Sequence, residues 1–281
     1  MSGPKKGVFT VKRIRIGASD HLANRPLLFG LSDAARDGVE LVTEEPGALA
    51  LSLERGELDA ALIPSIEFLR GVGECTVPGP ALVARGGARG LLLVAKNPIA
   101  QVQRIAVDEF SRTPLVALRA VLDKAFSILP DLWVVKRKPL NTSNWREEFD
   151  AALLTDDEAL QYAEREKDTS ETCHDIGEMW CSIFAQPLVV SVWAYNDPRL
   201  GKELEPVLVS SRDRGMHNLA ALCETISRTS SYSPGFLLQY YSSAWGFHLG
   251  PAEEEALRLL EDVAYEYQLL PQRRLENAAV A

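Results

Sequence analysis

The sequence predicts a two-lobed α/β fold, each lobe a mixed, mostly parallel sheet flanked by helices. Three observations point there. Short apolar runs of strand type alternate with helical patterns along the chain. The alternation falls into two blocks, joined near 97–103 and left again near 194–198. The loops that follow successive strands, at 18–26, 64–67, 109–113 and 155–158, all lie where open α/β sheets bind ligands, beyond the carboxyl ends of their strands. The expected division is therefore 1–98 plus 194–281 for lobe one and 99–193 for lobe two, with a ligand cleft between them.

The elements follow in order. Val11 to Gly17 alternates as a strand, and Val39 to Thr43 is a second. Pro46 opens a helix at its first position, Leu49 and Leu53 share one face, and Gly56 closes it. Asp59 to Pro64 reads as a buried strand whose following helix is capped by Ser65, and Leu91 to Ala95 is another apolar run. The second block starts with a strand at Arg104 to Asp108. Thr113 then stands as N-cap and Pro114 as first residue of a helix carrying Leu115, Leu118, Leu122 and Ala125 on one face. Strands near Trp133 to Lys136 and Ala151 to Thr155 precede helices near Asp156 to Ala163 and Gly177 to Ala185. Leu188 to Trp193 is the last strongly apolar strand. From Pro198 onward the pattern is helical, ending in a helix from Pro251 with Leu257, Leu260, Ala264 and Tyr267 aligned. The run Glu253-Glu254-Glu255 complements the dipole at that helix start.

Composition bounds the function. With 46% apolar and 25% charged residues in 281, the chain is an ordinary globular protein with room for a sizeable core, not a disordered or disulfide-built one. Thirty-nine acidic against 30 basic side chains give a net charge of -9, which argues against nucleic acid and acidic membranes as partners. An anionic ligand must then be captured by local donors. Cys75, Cys173, Cys181 and Cys223 form no CxxC pair, and Cys173-His174 with Cys181 lacks a fourth ligand, so no metal site is expected. The basic start from Met1 to Arg15 has no apolar core of a signal peptide, and no stretch approaches 18 uninterrupted apolar residues. A reduced, cytoplasmic setting is expected; oligomeric state leaves no signal in the sequence.

Single residues say less. His21, in the first cleft loop, is a candidate general base beside the alternative of a solvated turn histidine. Arg89, between glycines, is a candidate anion donor beside that of a surface arginine. Gly86-Gly87 lacks the spacing of a nucleotide loop.

Four segments together are more specific. They are His21-Leu22-Ala23-Asn24-Arg25-Pro26-Leu27; Gly56-Glu57-Leu58-Asp59 running into Pro64-Ser65-Ile66-Glu67-Phe68; Asp108 with Ser111-Arg112-Thr113; and Asp175-Ile176-Gly177-Glu178-Met179-Trp180 leading to Pro187 and Val192-Trp193. In this order and spacing the chain resembles the chorismate dehydratase family of the futalosine route to menaquinone, over about residues 11 to 245. The resemblance implies a fold like that of two-lobed type II periplasmic binding proteins. It also implies a reaction, loss of water from chorismate to give 3-[(1-carboxyvinyl)oxy]benzoate. Aromatisation drives that loss, so neither metal nor redox cofactor is implied. Ser111, Arg112 and Thr113 match the family's serine-arginine-threonine turn, whose helix-start amides, hydroxyls and guanidinium suit a carboxylate. Ser65 matches a proline-serine-isoleucine-glutamate turn. The implied substrate-binding residues are Ser65, Ser111, Arg112 and Thr113; Arg89 joins them as a candidate from its place between glycines, and Asn24 or His21 is expected to attend the leaving hydroxyl.

Departures from the family pattern fall on the same turns. The family's first turn reads tyrosine-leucine-asparagine-x-arginine-proline-leucine; here His21 takes the tyrosine position and Ala23 the asparagine position, with an asparagine one residue later at Asn24. Gly90 replaces a serine, Asp156-Asp157 a glycine-aspartate pair, and Phe184-Ala185 a threonine-glycine pair. Three readings stay open: an active divergent dehydratase, a lyase for another hydroxylated acid, and a small-anion binder without catalysis.

Overall fold

The computed structural model describes residues 13–31, 38–135, 145–165 and 171–275. Val11 and Lys12 of the first expected strand, Lys136 at the end of a later one, and Lys5 and Lys6 of the basic start lie outside the described residues. The chain begins with β1 (Ile14–Ala18), a 3-10 turn at Leu22–Asn24 and a short α1 (Arg25–Leu28). β2 (Val39–Thr43), α2 (Pro46–Glu54), β3 (Ala60–Pro64), α3 (Ser65–Arg70) and β4 (Cys75–Ala84) follow. Pro46 does open α2, and Gly56 beyond its end has φ 71°, a conformation that favours glycine.

The middle of the chain supplies β5 (Leu91–Ala95), β6 (Arg104–Asp108), α4 (Arg112–Phe126), β7 (Asp131–Val135), β8 (Ala151–Thr155), α5 (Asp156–Arg165), β9 (Thr172–Asp175) and α6 (Ile176–Phe184). β10 (Leu188–Tyr195) leads into α7 (Gly201–His217), α8 (Leu219–Ser227), α9 (Pro234–Gln239), a π-helical turn at Tyr240–Ala244, β11 (Trp245–Gly246) and α10 (Pro251–Glu266).

Two sheets result, ordered β11-β4-β10-β3-β1-β2 and β7-β6-β8-β5-β9. Both are mixed. β1 runs parallel to β2 and β3, and β6 to β7 and β8; the other five pairings are antiparallel, so the sheets are not mostly parallel as expected. The reason is topological. β5 and β10 are the strands that arrive from the opposite sheet, and each enters its new sheet's interior antiparallel to both neighbours. β5 therefore belongs to the second sheet and β10 to the first, although the expected division placed them the other way round. Runs such as Leu91 to Ala95 are apolar throughout because both faces are covered. Leu91, Leu93 and Ala95 face the main core, whereas Leu92 and Val94 face a smaller cluster with Trp145 and Tyr162.

Two helix starts differ from the expectation. Ser65 is already the first helical residue of α3, after Pro64, and its hydroxyl makes no capping bond. α4 begins at Arg112 with Ser111 at the N-cap, because Asp108 Oδ1 accepts the Phe110 N–H (2.8 Å) and tightens the turn early. Thr113 is freed by this shift for another partner, described below.

The first cleft loop is clamped from behind. Ser211 of α7 donates to Leu27 O (2.7 Å) and accepts from Gly30 N–H (3.0 Å). One turn on, Gly215 lets α1 lie against α7: a Cβ there would stand 2.0 Å from Pro26 O. Gly215→Ala is expected to lower stability by about 1–3 kcal/mol, since backbone must move to relieve the overlap. Chemical denaturation checks this, and an unchanged midpoint would show that the α1–α7 approach has slack.

Candidate functional site

The four loops named from the sequence do meet. His21 and Asn24 from the turn after β1, Pro64 at the end of β3, Phe110 to Arg112 before α4 and Asp156 at the start of α5 line one cavity between the sheets, with Val190 and Ser191 of β10 as its floor. Its volume is about 30 Å³, room for one water molecule. The lobes are shut on it.

What shuts them is polar. His21 Nε2 lies 3.4 Å from Glu45 Oε2, just ahead of α2, and His21 Nδ1 lies 3.4 Å from Asp156 Oδ2 on the opposite lobe. Asp157 Oδ1 accepts the Leu22 N–H across the same gap (2.9 Å). Thr113 Oγ1 accepts the Ile66 N–H (3.3 Å), so the unsatisfied first turn of α3 is capped by a side chain from the other lobe's helix. Phe110 lies against the first turn of α2, where a Cβ on Gly47 would approach its ring to 2.7 Å.

Burial alone pushes the His21 imidazole toward the neutral form. The nearby carboxylates, Asp156 first and then Glu45 and Asp157, more than reverse it, and its pKa is pushed up to about 11. That direction favours the imidazolium at neutral pH, the form that gives up a proton instead of taking one. Burial raises the carboxyl of Asp157 and that of Asp108 above the ordinary range.

The sequence-selected residues divide by what they have left to offer. Asn24 donates through Nδ2 to Ser19 Oγ (2.7 Å), which leaves its buried Oδ1 without a partner. Ser65 is fully buried beside Pro64 with its Oγ unpartnered. Arg112 reaches Glu67 with Nη1 at 3.7 Å, but its buried Nε is unpartnered. Ser111 Oγ shares a hydrogen bond with Thr155 Oγ1 (3.1 Å), and Thr113 is spent on Ile66. Arg89 lies outside the cavity. Its amide is held by Asp175 Oδ2 (2.7 Å) and its guanidinium stacks 5.8 Å over Phe236, on the exposed side of the turn. Asp156 has φ 53°, a left-handed conformation suited to the glycine of the family pattern.

Glu45, Ser19, Phe110 and Ser191 were not singled out from the sequence. Only the Pro46 helix start marked Glu45's place, and nothing local tied it to His21. Among the described residues, no group of three or more His, Cys, Asp or Glu side chains is arranged to hold a metal ion. No helix among them is long and apolar enough to cross a membrane. Ser65→Ala is expected to leave stability unchanged or raise it slightly, because the hydroxyl is buried without a bond. A loss of about 1 kcal/mol in thermal denaturation would show that it caps α3 after all.

The comparisons agree with this architecture. A family model described as menaquinone biosynthesis matches residues 14–266. Protein AF1704 from Archaeoglobus fulgidus superposes with a TM-score of 0.73 at 18% identity, covering 92% of this chain and 98% of that one. The alkanesulfonate-binding protein SsuA from Xanthomonas axonopodis pv. citri superposes with 0.64 at 17% identity, covering 93% and 95%. A Candida albicans protein described as having the generic periplasmic binding protein fold gives 0.58 at 15%, covering 94% and 92%. These structural likenesses establish the two-lobed fold, and the family match over nearly the whole chain establishes the rest: the chain belongs to the menaquinone biosynthesis family, and its role lies in that pathway.

Proposed function

We propose that the chain is a cytoplasmic chorismate dehydratase-like lyase of the futalosine route, removing water from chorismate to give 3-[(1-carboxyvinyl)oxy]benzoate. The observation that carries the reading is the set of buried polar atoms without a hydrogen bond on residues that line the interlobe cavity: Asn24 Oδ1, Arg112 Nε and His21 Nδ1, with Ser65 Oγ unspent next to the lining Pro64. Buried polar groups cost free energy unless bonded, so such a set is what a ligand of matching chemistry would satisfy. An acceptor at Asn24 asks for a hydroxyl, and a guanidinium N–H at Arg112 asks for a carboxylate. Chorismate carries both. In this reading the lobe exchanges fall at 85–90 and 185–187, which the membership of β5 and β10 in the two sheets supports.

The residues then take these parts. Arg112 and the amides at the start of α4, supported by Ser111, hold one carboxylate. Asn24 orients the ring hydroxyl, and His21 donates a proton as the carbon–oxygen bond breaks, so the group leaves as water. The ring proton goes to the substrate's own side-chain carboxylate, which then restores the proton to the neutral imidazole. Atoms and charge balance with one water lost. A cavity of about 30 Å³ cannot admit such a ligand, whose sites usually span about 300–1,000 Å³, so the lobes part to load it and close to exclude bulk water.

A second reading, a small-anion binder without turnover, rests on Ala23 and Gly90. Ala23 is buried and offers no polar group, and at Gly90 a Cβ would stand 3.2 Å from Trp245 Cζ2, leaving little room for the serine of the family pattern. An alkanesulfonate-binding protein among the fold neighbours favours anion capture in general.

Incubation of the purified protein with chorismate should yield, by mass spectrometry, a product lighter by one water. Asn24→Ala is expected to lower kcat/KM by about 10²–10³-fold, the usual cost of one well-placed polar contact. Arg112→Ala should abolish the thermal stabilisation given by chorismate. Stabilisation without product would select the binder, and neither effect would overturn the substrate class.

A further inference from the structure

We infer that Asp156, carried across the cleft on the first residue of α5, is a positioning residue that makes His21 keep its proton, so that closing the lobes takes up a proton wherever open-state His21 is neutral. The inference deepens the dehydratase reading by naming what charges the acid of that site, and its geometry stands apart from turnover.

A neutral imidazole has one N–H, and its other nitrogen presents a lone pair. In the closed form both nitrogens face carboxylates, Glu45 on one side and Asp156 on the other, each at 3.4 Å. A neutral ring would leave one of these carboxylates facing a lone pair, whereas the imidazolium sets its positive charge beside both; the contacts are ion pairs by distance, and Nδ1 makes no hydrogen bond. The two carboxylates differ in origin. Glu45 belongs to the same lobe as His21 and stays when the cleft opens; Asp156 and Asp157 come from the other lobe and leave together.

Other charges facing this point do not supply the same field. Arg25 is engaged by Asp20 (2.9 Å) within the turn, and Arg112 turns to Glu67. Asp108 has Glu109 and Glu45 as charged neighbours, and the phenol of Tyr240, buried near Asp156 and Asp157, is held protonated by desolvation. The left-handed φ of 53° at Asp156 is a second observation: a carboxylate-bearing side chain sits where glycine would be unstrained, and that position is the one facing His21 across the cleft.

The sign of the linkage follows. The imidazolium is favoured in the closed form up to about pH 11, against an ordinary value of 6.5 for an imidazole left to solvent. Closure is therefore strongest below the open-state value, then weakens by up to about tenfold per pH unit until the closed-state value is passed.

The test uses the full chain labelled with ¹³C and ¹⁵N at histidine, without ligand, with the His21 resonance identified by its absence in His21→Gln. The expected result is an imidazolium retained at pH 8–9, and a midpoint in Asp156→Asn and Asp156→Gly lower by one unit or more. Asp156→Gly relieves the strained backbone, so it keeps the fold while removing the carboxylate. The Ile66 amide, whose partner is Thr113 on the opposite lobe, reports closure through hydrogen exchange. Its protection factor should fall with pH between 7 and 9 in the parent and stay flat in His21→Gln. A parent midpoint near 6.5, or one that Asp156→Asn leaves in place, overturns the inference. None of these readouts needs turnover, so an inactive protein with a retained imidazolium would reject the dehydratase reading alone.

Discussion

The cleft is held shut by one imidazolium between carboxylates of opposite lobes, and much of the surrounding structure serves to bring those three groups together. Ser211 and Gly215 fix the turn that carries His21 from behind, and Tyr241 secures it by donating to Leu22 O (2.8 Å). Asp156 reaches across only because the chain accepts a left-handed residue where β8 turns into α5. Asp157 and Thr113 add two further bonds over the gap, each to a backbone N–H that its own lobe leaves unsatisfied. The charge is only partly withdrawn from water, since the Glu45 side chain is 55% exposed and that of Asp156 29%, and each carboxylate lies 3.4 Å from the imidazole. The lining residues Asn24, Arg112 and His21 each keep a buried polar atom without a hydrogen bond, and Ser65 Oγ does so next to the lining Pro64.

How far the sequence foretold this depends on the range of the interactions involved. Strands covered on both faces, such as Ala60–Pro64 and Leu91–Ala95, show as unbroken apolar runs, and Pro46 and Gly56 punctuate α2, so most elements were legible from local pattern. The convergence of four loops was legible as well, since strand ends in open α/β sheets share a face. Strand pairing was not. Nothing local in Leu91–Ala95 or Leu188–Tyr195 says that each crosses to the other sheet and pairs antiparallel there, because that is settled by contacts far away in the chain.

The site shows the same division. Ser111, Arg112 and Asn24 were readable from motif and position, and the structure places them at the cavity. The protonation of His21 was not, since it depends on Glu45 and Asp156, more than 20 and 130 residues away along the chain. Thr113 looked like a helix cap and does cap a helix, but the one on the facing lobe. Arg89, set between glycines, looked free to reach inward. Its amide is bound by Asp175 and its guanidinium by Phe236, which hold it outside. The departures from the family pattern at His21 and Asp156 are thus coupled: one supplies the cation and the other the anion of a single contact.

In the proposed reading the ligand sits in the small closed cavity, not in the wider groove beside it. That groove, of about 560 Å³, is lined by Arg25, Asp157 and Glu164 with hydroxyls from the segment after α8, and its charge is largely acidic. A crystal structure of the protein grown with chorismate separates the two most directly. The expected result is opened lobes re-closed on density between Asn24, Ser65 and Arg112, with a carboxylate at Arg112 Nε and the ring hydroxyl at Asn24 Oδ1. Density in the wider groove, with the closed cavity unchanged, would contradict it.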